Sequence, residues 1–502
     1  MRYTGAVVQY EPRFGEKAHN LAQLLRLTEE AARAGARLVV LPEMAATGYC
    51  FRSREEIAPF VEPVPGGPTL EALGALAARW NLHVVVGLPE VEPATGVYYN
   101  TAALIGPKGF IGKYRKLHSY IDETRWARDG DLGMPVFETE IGRIAIQICM
   151  DADYFEPARL AAVAGADLIA FPTNWLGKES IWYARAAENG LYMLCANRWG
   201  EERGARFCGN SAIIDPEGRA LNLLSTGDGI CLADLDLERV HRRRDSLLAL
   251  RRPALYQELL INSHLWHWKD AFDLPPGRPV VVATGRAAQP AAMADQARWA
   301  DVQVRDKGHA ALDLILFPSV AGQEEGAVEQ MAAVARDLGC WIGWGDHGPA
   351  GDRAWLVGPD GMAGSYQAVH PAHGGPAGDR FATLDLPWGR VGLAAGLDLL
   401  LPETARILAK RGADLIIAPL ARQVEPDPLL WSARWLENEA AILVAAPDGP
   451  CGICGSRPKA QPGHDGIWIG VVETGSERIR SKELLRKLQP YWYGPLVHPS
   501  QQ

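Results

Sequence analysis

Short apolar runs alternate with helical patterns along most of this chain. Residues 1–9, MRYTGAVVQ, and residues 37–41, RLVVL, are typical of β-strands. Between them, residues 20–35, NLAQLLRLTEEAARAG, place apolar side chains at helical spacing and end on a glycine, which predicts an amphipathic helix. Strands that alternate with helices in this way predict an α/β layered fold.

The same succession of patterns occurs twice. Three pairs of segments carry the likeness: residues 37–43 and 313–319, residues 104–118 and 356–370, and residues 142–172 and 389–419. In the third pair, GRIAIQICMDADYFEPARLAAVAGADLIAFP lies without a gap over GRVGLAAGLDLLLPETARILAKRGADLIIAP. The sequence therefore predicts a tandem duplication.

A linker separates the two copies. Residues 264–279, HLWHWKDAFDLPPGRP, contain a Pro-Pro-Gly turn signal and precede a new apolar strand, VVVAT. We place the boundary near residue 275, with one domain over residues 1–272 and a second over residues 273–502.

Composition and charge narrow the class of protein. The 502 residues are 48% hydrophobic and 22% charged with a formal net charge of −9, which is typical of a globular protein and lacks the basic character that nucleic-acid binding requires. No apolar run reaches the roughly 20 residues that span a bilayer, and residues 1–9 lack the features of a signal peptide. We therefore expect a cytoplasmic protein with neither nucleic acid nor membrane as a partner.

The eight cysteines are spread over the chain without a dense disulfide framework, which favours reduced thiols. Cys451 and Cys454 form one CxxC, but no second pair or histidine pair stands at zinc spacing. A loop is a simpler interpretation of this motif than metal or redox chemistry. We predict neither a metal nor a cofactor.

Three polar residues of the first copy stand at or near the ends of predicted strands: Glu43 in VVLPEMAATGY, Lys116 in GKYRKLHSYIDE and Cys149 in IQICMDADYFEP. Strand ends are where α/β folds gather their chemistry. Each residue alone has a simpler explanation, because a cysteine after an apolar strand is usually a buried structural thiol and loop charges are usually solvated. Together the three suggest a nucleophilic thiol with its supporting groups.

A cysteine nucleophile needs help to lose its proton, since a free thiol with a pKa of about 8.5 is mostly protonated at neutral pH. Glu43 is a candidate for the base, because burial raises the pKa of a carboxyl and suits it to take the thiol proton and return it to a leaving amine. Lys116 is a candidate for stabilising the thiolate or the oxyanion of a tetrahedral intermediate, with help from the backbone N–H after the nucleophile.

These segments resemble those of the nitrilase superfamily, the carbon–nitrogen hydrolases that use a Glu-Lys-Cys triad. The family carries its glutamate in a strand-Pro-Glu segment, its lysine in a run like GKYRKLH and its cysteine in a strand followed closely by aspartate. The resemblance covers nearly the whole chain, twice, and extends to GADLIAFPTNW, RAAENGLYMLCANRWG and FCGNSAIIDPEGR. It implies that Glu43 is the general base, Lys116 the oxyanion lysine and Cys149 the nucleophile.

The resemblance also implies further site residues. A second glutamate often follows the lysine by seven residues, which here is Glu123, and it would position the lysine or the substrate amide. We expect the substrate to contact residues beside the nucleophile and after the next strand: Met150, Asp153, Tyr154, Asn174 and Trp175.

Departures from the family pattern bear on the substrate. The familiar FPE after the nucleophile is YFEP here. Asp153 stands where relatives with carboxylate-bearing substrates often place arginine, which argues against an anionic substrate such as an N-carbamoyl amino acid. Asp153 would instead receive an amine or a hydroxyl, or cap the following helix. His118 is more often a structural hydrogen bonder than a base in such a position, and Trp175 fits the pocket wall or the core equally well.

In this alignment the second copy has lost the chemistry. Its residues at the four catalytic positions are Ser319, Ala368, Gly375 and Gly396. Three framework residues are kept as Asp398, Glu403 and Arg406. The family fold resembles a four-layer αββα sandwich that commonly dimerises through helices, so we expect two such sandwiches packed as an intramolecular pseudo-dimer. Further association into a homo-oligomer stays open.

The leading hypothesis is an amidase that hydrolyses a small carboxamide to a carboxylic acid and ammonia through a thioester on Cys149. A nitrilase or an N-carbamoyl hydrolase would use the same triad, but the CMDAD context disfavours the first and Asp153 the second. An ammonia-supplying glutaminase would need a nucleotide-binding domain, and the second copy has no Gly-rich phosphate loop. A non-catalytic binding or scaffold protein is the alternative of a different class, because the second copy keeps the framework without the chemistry.

Overall fold

The computed structural model describes residues 1–177, 180–262, 273–322, 326–425, 427–448, 450–456, 461–462, 466–475 and 483–498. The chain forms two compact units. The first consists of Met1–Ala249 together with Tyr491–Leu496, and the second consists mainly of Leu250–Pro490. The linker predicted at residues 264–279 lies largely outside the described residues, so the predicted domains 1–272 and 273–502 stay a prediction.

The first unit is built from short strands and helices in alternation. Its strands are β1 (Arg2–Gln9), β2 (Ala36–Val40), β3 (His83–Val91), β4 (Tyr98–Gly106), β5 (Gly109–Arg115), β6 (Val136–Thr139), β7 (Gly142–Ile146), β8 (Leu168–Thr173), β9 (Tyr192–Asn197), β10 (Trp199–Glu202), β11 (Ala205–Cys208), β12 (Ser211–Ile214), β13 (Ala220–Leu224) and β14 (Gly229–Asp236). Its helices are α1 (Lys17–Arg33), α2 (Arg54–Ile57), α3 (Pro68–Trp80), α4 (Phe155–Val163), α5 (Ser180–Asn189) and α6 (Leu237–Leu248).

Two mixed sheets form the centre of the first unit. One has the order β14-β1-β2-β3-β4-β5 and the other β13-β12-β9-β8-β7-β6, while β10 and β11 form a separate hairpin. The middle strands of each sheet are parallel: β1, β2 and β3 in the first sheet, and β7, β8 and β9 in the second. Parallel strands are usually covered on both faces, which explains why β2 and β8 are almost entirely apolar.

Helices cover the outer face of each sheet. Leu24 and Leu27 of α1 and Leu73 of α3 share one buried core with Val39 of β2 and Val84 of β3. On the second sheet, α5 packs against β9 and β12, and the two sheets contact each other through β1, β9 and β12. The mixed α/β fold predicted from the pattern is therefore confirmed.

The second unit contains strands β15 (Pro279–Thr284), β16 (Leu314–Ala321), β17 (Trp341–His347), β18 (Arg353–Gly358), β19 (Gly361–Gln367), β20 (Ala382–Leu386), β21 (Gly389–Leu393), β22 (Leu415–Pro419), β23 (Ala441–Ala445), β24 (Gly452–Cys454), β25 (Gln461–Pro462) and β26 (Trp468–Glu473). Its helices are α7 (Pro290–Asp306), α8 (Ala327–Leu338), α9 (Pro402–Lys410), α10 (Pro428–Asn438) and α11 (Glu483–Arg486), and α12 (Gly494–Val497) lies near the end of the chain.

The strand order of the second unit follows the same scheme. One sheet runs β19-β18-β17-β16-β15-β26-β25 and the other β20-β21-β22-β23-β24. As in the first unit, the first strand β15 pairs in parallel with β16 and antiparallel with a late strand, here β26. Cys454 of the CxxC motif ends β24, so this part of the motif is a strand and not the loop expected from sequence.

The individual elements read from the sequence are largely found. The strand at residues 1–9 corresponds to β1, the helix at residues 20–35 to α1, and the paired strands at residues 104–118 to the end of β4 with β5. Along the described residues, no helix combines the length and apolar character that crossing a membrane would need.

Candidate active site

The candidate residues lie where strands of the first unit end. Glu43 follows β2, Lys116 directly follows β5, and Cys149 follows β7. Asn174 directly follows β8, the neighbour of β7 in the second sheet. The site is therefore assembled from the strand ends of both sheets.

Lys116 joins two buried carboxylates. Its Nζ atom donates to Oε1 of Glu43 at 2.9 Å and to Oε1 of Glu123 at 2.5 Å. The hydroxyl of Tyr49 donates to the same Glu123 oxygen at 2.6 Å. None of the three charged residues is more than 1% exposed. One buried ammonium thus forms hydrogen bonds with two buried carboxylates.

Glu43 is held on several sides. Asn100 donates from Nδ2 to Oε1 of Glu43 at 2.7 Å, and Asn174 donates from Nδ2 to the Glu43 backbone oxygen at 3.0 Å. Gly87 of β3 passes so close that a Cβ atom there would lie 2.6 Å from the Glu43 Cα. Among the described residues, Oε2 of Glu43 has no hydrogen-bond partner. That oxygen is therefore able to accept a proton from a reacting group.

Cys149 opens a short 3₁₀ turn, Cys149–Asp153, with a backbone φ of +46°. Residues other than glycine rarely adopt this left-handed conformation, and where they do the surrounding structure must hold them in place. The turn presents a cysteine that is 6% exposed at the end of a buried strand.

Asp151 holds this turn in place. Its Oδ2 atom accepts hydrogen bonds from the Ile148 backbone N–H at 3.1 Å and from the Tyr114 hydroxyl at 2.7 Å. Its Oδ1 atom lies 3.0 Å from the His118 backbone N and 2.9 Å from His118 Nδ1. The His118 ring stacks on Tyr154 with ring centroids 3.7 Å apart. His118 thus has a structural position behind the nucleophile.

Burial dominates the ionisation of the site. Burial and then the Glu43 carboxylate raise the pKa of the Cys149 thiol far above its usual range, although Lys116 opposes them. Burial also raises the pKa of Glu43; Lys116 opposes this rise and Glu123 adds to it. Burial alone would lower the pKa of Lys116, but Glu123 and Glu43 together raise it well above its usual range. The resting site therefore holds a thiol, not a thiolate, beside a carboxyl with increased proton affinity and a permanent ammonium.

A cavity of about 340 Å³ opens onto the thiol. Its lining residues are Tyr49, Tyr120, Cys149, Met150, Asp153, Asn174, Trp175, Leu176 and Gly177. Apolar and aromatic side chains form most of this wall, with a few polar groups at fixed places, as in sites for small organic molecules.

Four of the five predicted substrate contacts line this cavity: Met150, Asp153, Asn174 and Trp175. Tyr154 does not line the cavity, because its side chain is buried against His118. A contact between Tyr154 and the substrate therefore stays a prediction. Asp153 is not at the N-cap of α4, a position held by Tyr154. Trp175 combines both expected roles, since it lines the cavity and packs edge-on against Trp182.

Sequence reasoning missed Tyr49, Tyr120 and Asn100, as well as Leu176 and Gly177 of the cavity wall. Tyr49 and Tyr120 lie in loops without periodicity, so no pattern marked them. Asn100 carries a readable signal, because it is a lone amide in the apolar strand β4. Among the described residues, no group of three or more His, Cys, Asp or Glu side chains is arranged to hold a metal ion.

Among its described residues, the second unit has a similar support for a turn, but no cysteine in that turn. Asp398 accepts hydrogen bonds from the Tyr366 hydroxyl at 2.8 Å and from the backbone N–H of His370 at 3.0 Å, as Asp151 does from Tyr114 and His118. Gly396, two residues before it, has a φ of +56°. The left-handed turn is therefore present in the second unit, but the thiol is absent from it.

Comparison with known proteins places the likeness in the first half of the chain. The carbon-nitrogen hydrolase family matches residues 5–245. A nitrilase from Pyrococcus abyssi (strain GE5 / Orsay) is 39% identical over 242 residues, which cover 48% of this chain and 92% of that relative. The omega-amidase NIT2 from Xenopus tropicalis is 29% identical and matches 46% of this chain and 88% of its own. An N-carbamoylputrescine amidase from Solanum lycopersicum is 29% identical and matches 48% and 89%, respectively.

Proposed function

The chain belongs to the carbon–nitrogen hydrolase family, the nitrilase superfamily, and from that premise we propose that it hydrolyses a small carboxamide to a carboxylic acid and ammonia. It is a carbon–nitrogen hydrolase; the amide substrate and the roles of single residues are the proposed part. The proposed nucleophile is Cys149, with Glu43 as general base, Lys116 as oxyanion donor and Glu123 as the group that orients Lys116.

In the first stage, Sγ of Cys149 forms a bond to the amide carbon. Oε2 of Glu43 takes the thiol proton as the bond forms, and the carbonyl electron pair moves onto oxygen. Nζ of Lys116 and the backbone N–H of Met150 stabilise this oxyanion. The intermediate then collapses, the carbon–nitrogen bond breaks, and ammonia leaves with the proton from Glu43. A thioester remains on Cys149.

In the second stage, water replaces the thiol. Glu43 takes a proton from the water as its oxygen attacks the thioester carbon, and the same donors stabilise the second oxyanion. Collapse breaks the carbon–sulfur bond, the sulfur recovers a proton from Glu43, and the carboxylic acid leaves.

The single observation that carries this proposal is the buried contact of Lys116 with both Glu43 and Glu123 beside Cys149. Three buried charges are costly unless they are paired, and such arrangements concentrate at functional sites. The unpartnered Oε2 of Glu43 supports its role as base, since Lys116 and Asn100 both bind the other oxygen.

The names of the relatives support amide chemistry in more than one form. One is an omega-amidase and another acts as an N-carbamoylputrescine amidase. An N-carbamoyl amine is therefore the second candidate substrate class, and it would yield carbon dioxide besides ammonia and the amine. A nitrile is the third, in line with the relative named nitrilase.

Ammonia release from the full chain tests the proposal. Short aliphatic carboxamides, N-carbamoyl amines and nitriles are supplied to the parent protein, to Cys149→Ala and to the control Cys340→Ala. Cys340 is a fully buried thiol in the core of the second unit, so the control also removes a buried sulfur. We expect turnover of carboxamides by the parent and the control only.

Different results would point elsewhere. Equal turnover by Cys149→Ala and the parent would eliminate the covalent mechanism. Carbon dioxide formed together with ammonia would move the assignment to N-carbamoyl amines. No turnover of any of the three classes would favour the non-catalytic binding or scaffold alternative.

We propose further that the second unit is a degenerate copy of the first and that the two copies form an intramolecular pseudo-dimer. The shared strand order and the kept aspartate turn support a common origin. Production of residues 1–272 alone tests the dependence on the second copy. A fragment that is monomeric and as active as the full chain would contradict it.

A further inference from the structure

The second unit has a cavity of its own, with a volume of about 300 Å³, close to that of the cavity beside Cys149. It lies at the end of β16, between the first turns of α7 and α8. All of its lining residues belong to the second unit. The second unit lacks the catalytic residues at the aligned positions but still encloses a cavity of similar volume.

Polar side chains stand at one end of this cavity. The hydroxyl of Ser319 lies 3.1 Å from Nδ1 of His347, and the His347 ring stacks on His373 at 4.7 Å. Behind them, Nδ1 of His373 lies 2.6 Å from Oδ1 of Asp352 and its Nε2 lies 3.2 Å from Oε1 of Gln423. Ser319, His347 and Gln423 are part of the cavity wall, so the network reaches it with a hydroxyl, an imidazole and an amide.

Among the described residues that line the cavity, the charged side chain is a cation, Arg422. Arg422 lines its rim and pairs with Asp448 at 2.8 Å, a contact that uses Nε and leaves the other guanidinium nitrogens to bind further groups. The described residues that line the cavity include no aspartate or glutamate.

Two helices add to this field. Gln289, the N-cap of α7, and Ala327, the first residue of α8, both line the cavity, and neither helix has a side-chain hydrogen bond at its N-cap. The positive ends of both helix dipoles therefore face the same space.

The rest of the wall is apolar. Met293, Met331 and Trp344 form much of it, together with Pro290 and Ala327. A ligand that fits both parts of the cavity has a short apolar body for this wall and a compact, planar, negatively charged head for the polar end. We propose that this cavity is a binding site for a short-chain organic carboxylate, whose head group contacts Ser319, His347 and Arg422.

The site does not depend on the reaction proposed for the first unit, because none of its residues takes part in that reaction. A carboxylate that binds here could be the product of the first unit or an unrelated acid. The two sources share the same head-group chemistry. Titration with a panel of short acids, some released by the first unit and some not, separates them by the same readout that is used for butyrate below.

Methionine methyl signals give each cavity its own reporter. Met293 and Met331 line the cavity of the second unit, whereas Met150 lines the cavity beside Cys149. The full chain carrying Cys149→Ala, which prevents hydrolysis of butyramide to butyrate, is labelled at its methionine methyl groups and titrated with butyrate, butyramide and butylammonium. Single Met→Leu variants assign the signals. We expect butyrate to shift the Met293 and Met331 signals in a saturable way, and butyramide and butylammonium to bind at least about tenfold more weakly.

A filled cavity and a matched control complete the test. Ala321→Trp places a large ring at an exposed residue of the cavity wall, and Ala292→Trp makes the same change at an exposed residue of α7 outside the wall. We expect the first variant to abolish the shift of Met293 and Met331 and the second to keep it. Unshifted Met293 and Met331 signals with butyrate, an equal response to butylammonium or butyramide, or an unchanged response in Ala321→Trp would each overturn the proposal.

Discussion

His118 Nδ1 lies 2.9 Å from Oδ1 of Asp151, and both side chains are buried behind the turn that carries Cys149. The other oxygen of Asp151 accepts the backbone N–H of Ile148, the residue before the nucleophile. The second unit repeats the pair, with His370 Nδ1 lying 2.8 Å from Oδ1 of Asp398. The pair is thus part of the framework that holds the turn and is separate from the reacting groups.

Asp151→Asn tests this positioning role. The amide nitrogen of asparagine would face donors that now bind a carboxylate oxygen, so the turn and the thiol would shift. A displacement on the order of 1 Å costs about a hundredfold in rate, and we expect that loss in kcat with a lower melting temperature. Asp398→Asn is the matched control in the second unit and should lower the melting temperature without changing kcat. Equal kcat losses in the two variants would contradict a local role.

Lys116→Met removes the shared ammonium while keeping most of the side-chain volume. Glu43 and Glu123 would then lie close together without a counter-charge, and the proposed oxyanion would lose one donor. We expect kcat to fall by about a hundred- to a thousandfold, as for other oxyanion donors. Lys108→Met removes an exposed lysine that pairs with Glu140 and should leave kcat unchanged. Retained activity in Lys116→Met, measured by ammonia release, would exclude the proposed role.

The acidic limb of the pH profile should report Glu43. Its pKa lies above the ordinary value of 4.5, first because of burial, so the base form needed for reaction is lost as pH falls through a value higher than 4.5. The effect on stability has the opposite sense: a carboxyl whose folded-state pKa is raised contributes stability below 4.5 and loses it as pH rises through the folded pKa.

Asn100→Leu identifies the group responsible for that limb. The Asn100 amide stabilises the Glu43 carboxylate, so its removal should raise the pKa further and move the acidic limb of kcat/KM to higher pH. Asn222→Leu, at an exposed strand position, is the control and should leave the limb in place. An acidic limb that stays at the same pH in Asn100→Leu would show that another group titrates there.

Tyr49→Phe separates a hydroxyl from a ring. The ring would still line the cavity, but Glu123 would lose the 2.6 Å hydrogen bond that fixes its Oε1 atom. The loss of one hydrogen bond to a charged group is about 1.5–3 kcal/mol, so we expect kcat to fall by roughly ten- to a hundredfold with a smaller change in KM. Tyr120→Phe, at the same cavity wall, should change kcat little. A matching loss in both variants would mean that wall polarity, and not Glu123, is the cause.

A residue of this site could be predicted from the sequence where it lies at the end of a regular element, and could not where it lies in a loop without periodicity. Glu43, Lys116 and Cys149 could be found because each stands at a strand end, and strand ends can be read from apolar runs. Tyr49 could not, because residues 41–67 have no period that fixes where a side chain points. The stacking of Tyr154 on His118 was equally hidden, since it depends on a turn whose left-handed start at Cys149 is rare for a residue with a side chain.

The second unit also shows what the sequence can and cannot predict. Alignment placed Gly396 opposite Cys149, and Gly396 has a left-handed backbone conformation, as Cys149 does. The alignment gave no sign of the cavity at Ser319, because a cavity depends on how several elements pack together and not on the type of one residue.

Restoring the catalytic residues to the second unit should fail. In a Cys149→Ala background, the variant with Ser319→Glu, Ala368→Lys and Gly396→Cys carries the proposed trio at the corresponding positions. A Cβ atom at Gly396 would lie 2.7 Å from the His370 backbone oxygen and 3.1 Å from Oδ2 of Asp352. The side chain that the first unit accommodates at Cys149 would therefore lie too close to the His370 backbone oxygen at the corresponding position of the second unit.

The measurements for that variant are ammonia release and thermal unfolding. We expect no turnover, and we expect Gly396→Ala alone to lower the melting temperature, because the new Cβ meets backbone atoms that cannot rotate away and the φ of +56° disfavours any side chain. Ala394→Gly, a change of similar size in the same segment that removes a methyl group, controls for cavity effects. Carboxamide turnover by the rebuilt second unit would show that sequence identity at these positions, and not the space around Gly396, decides activity.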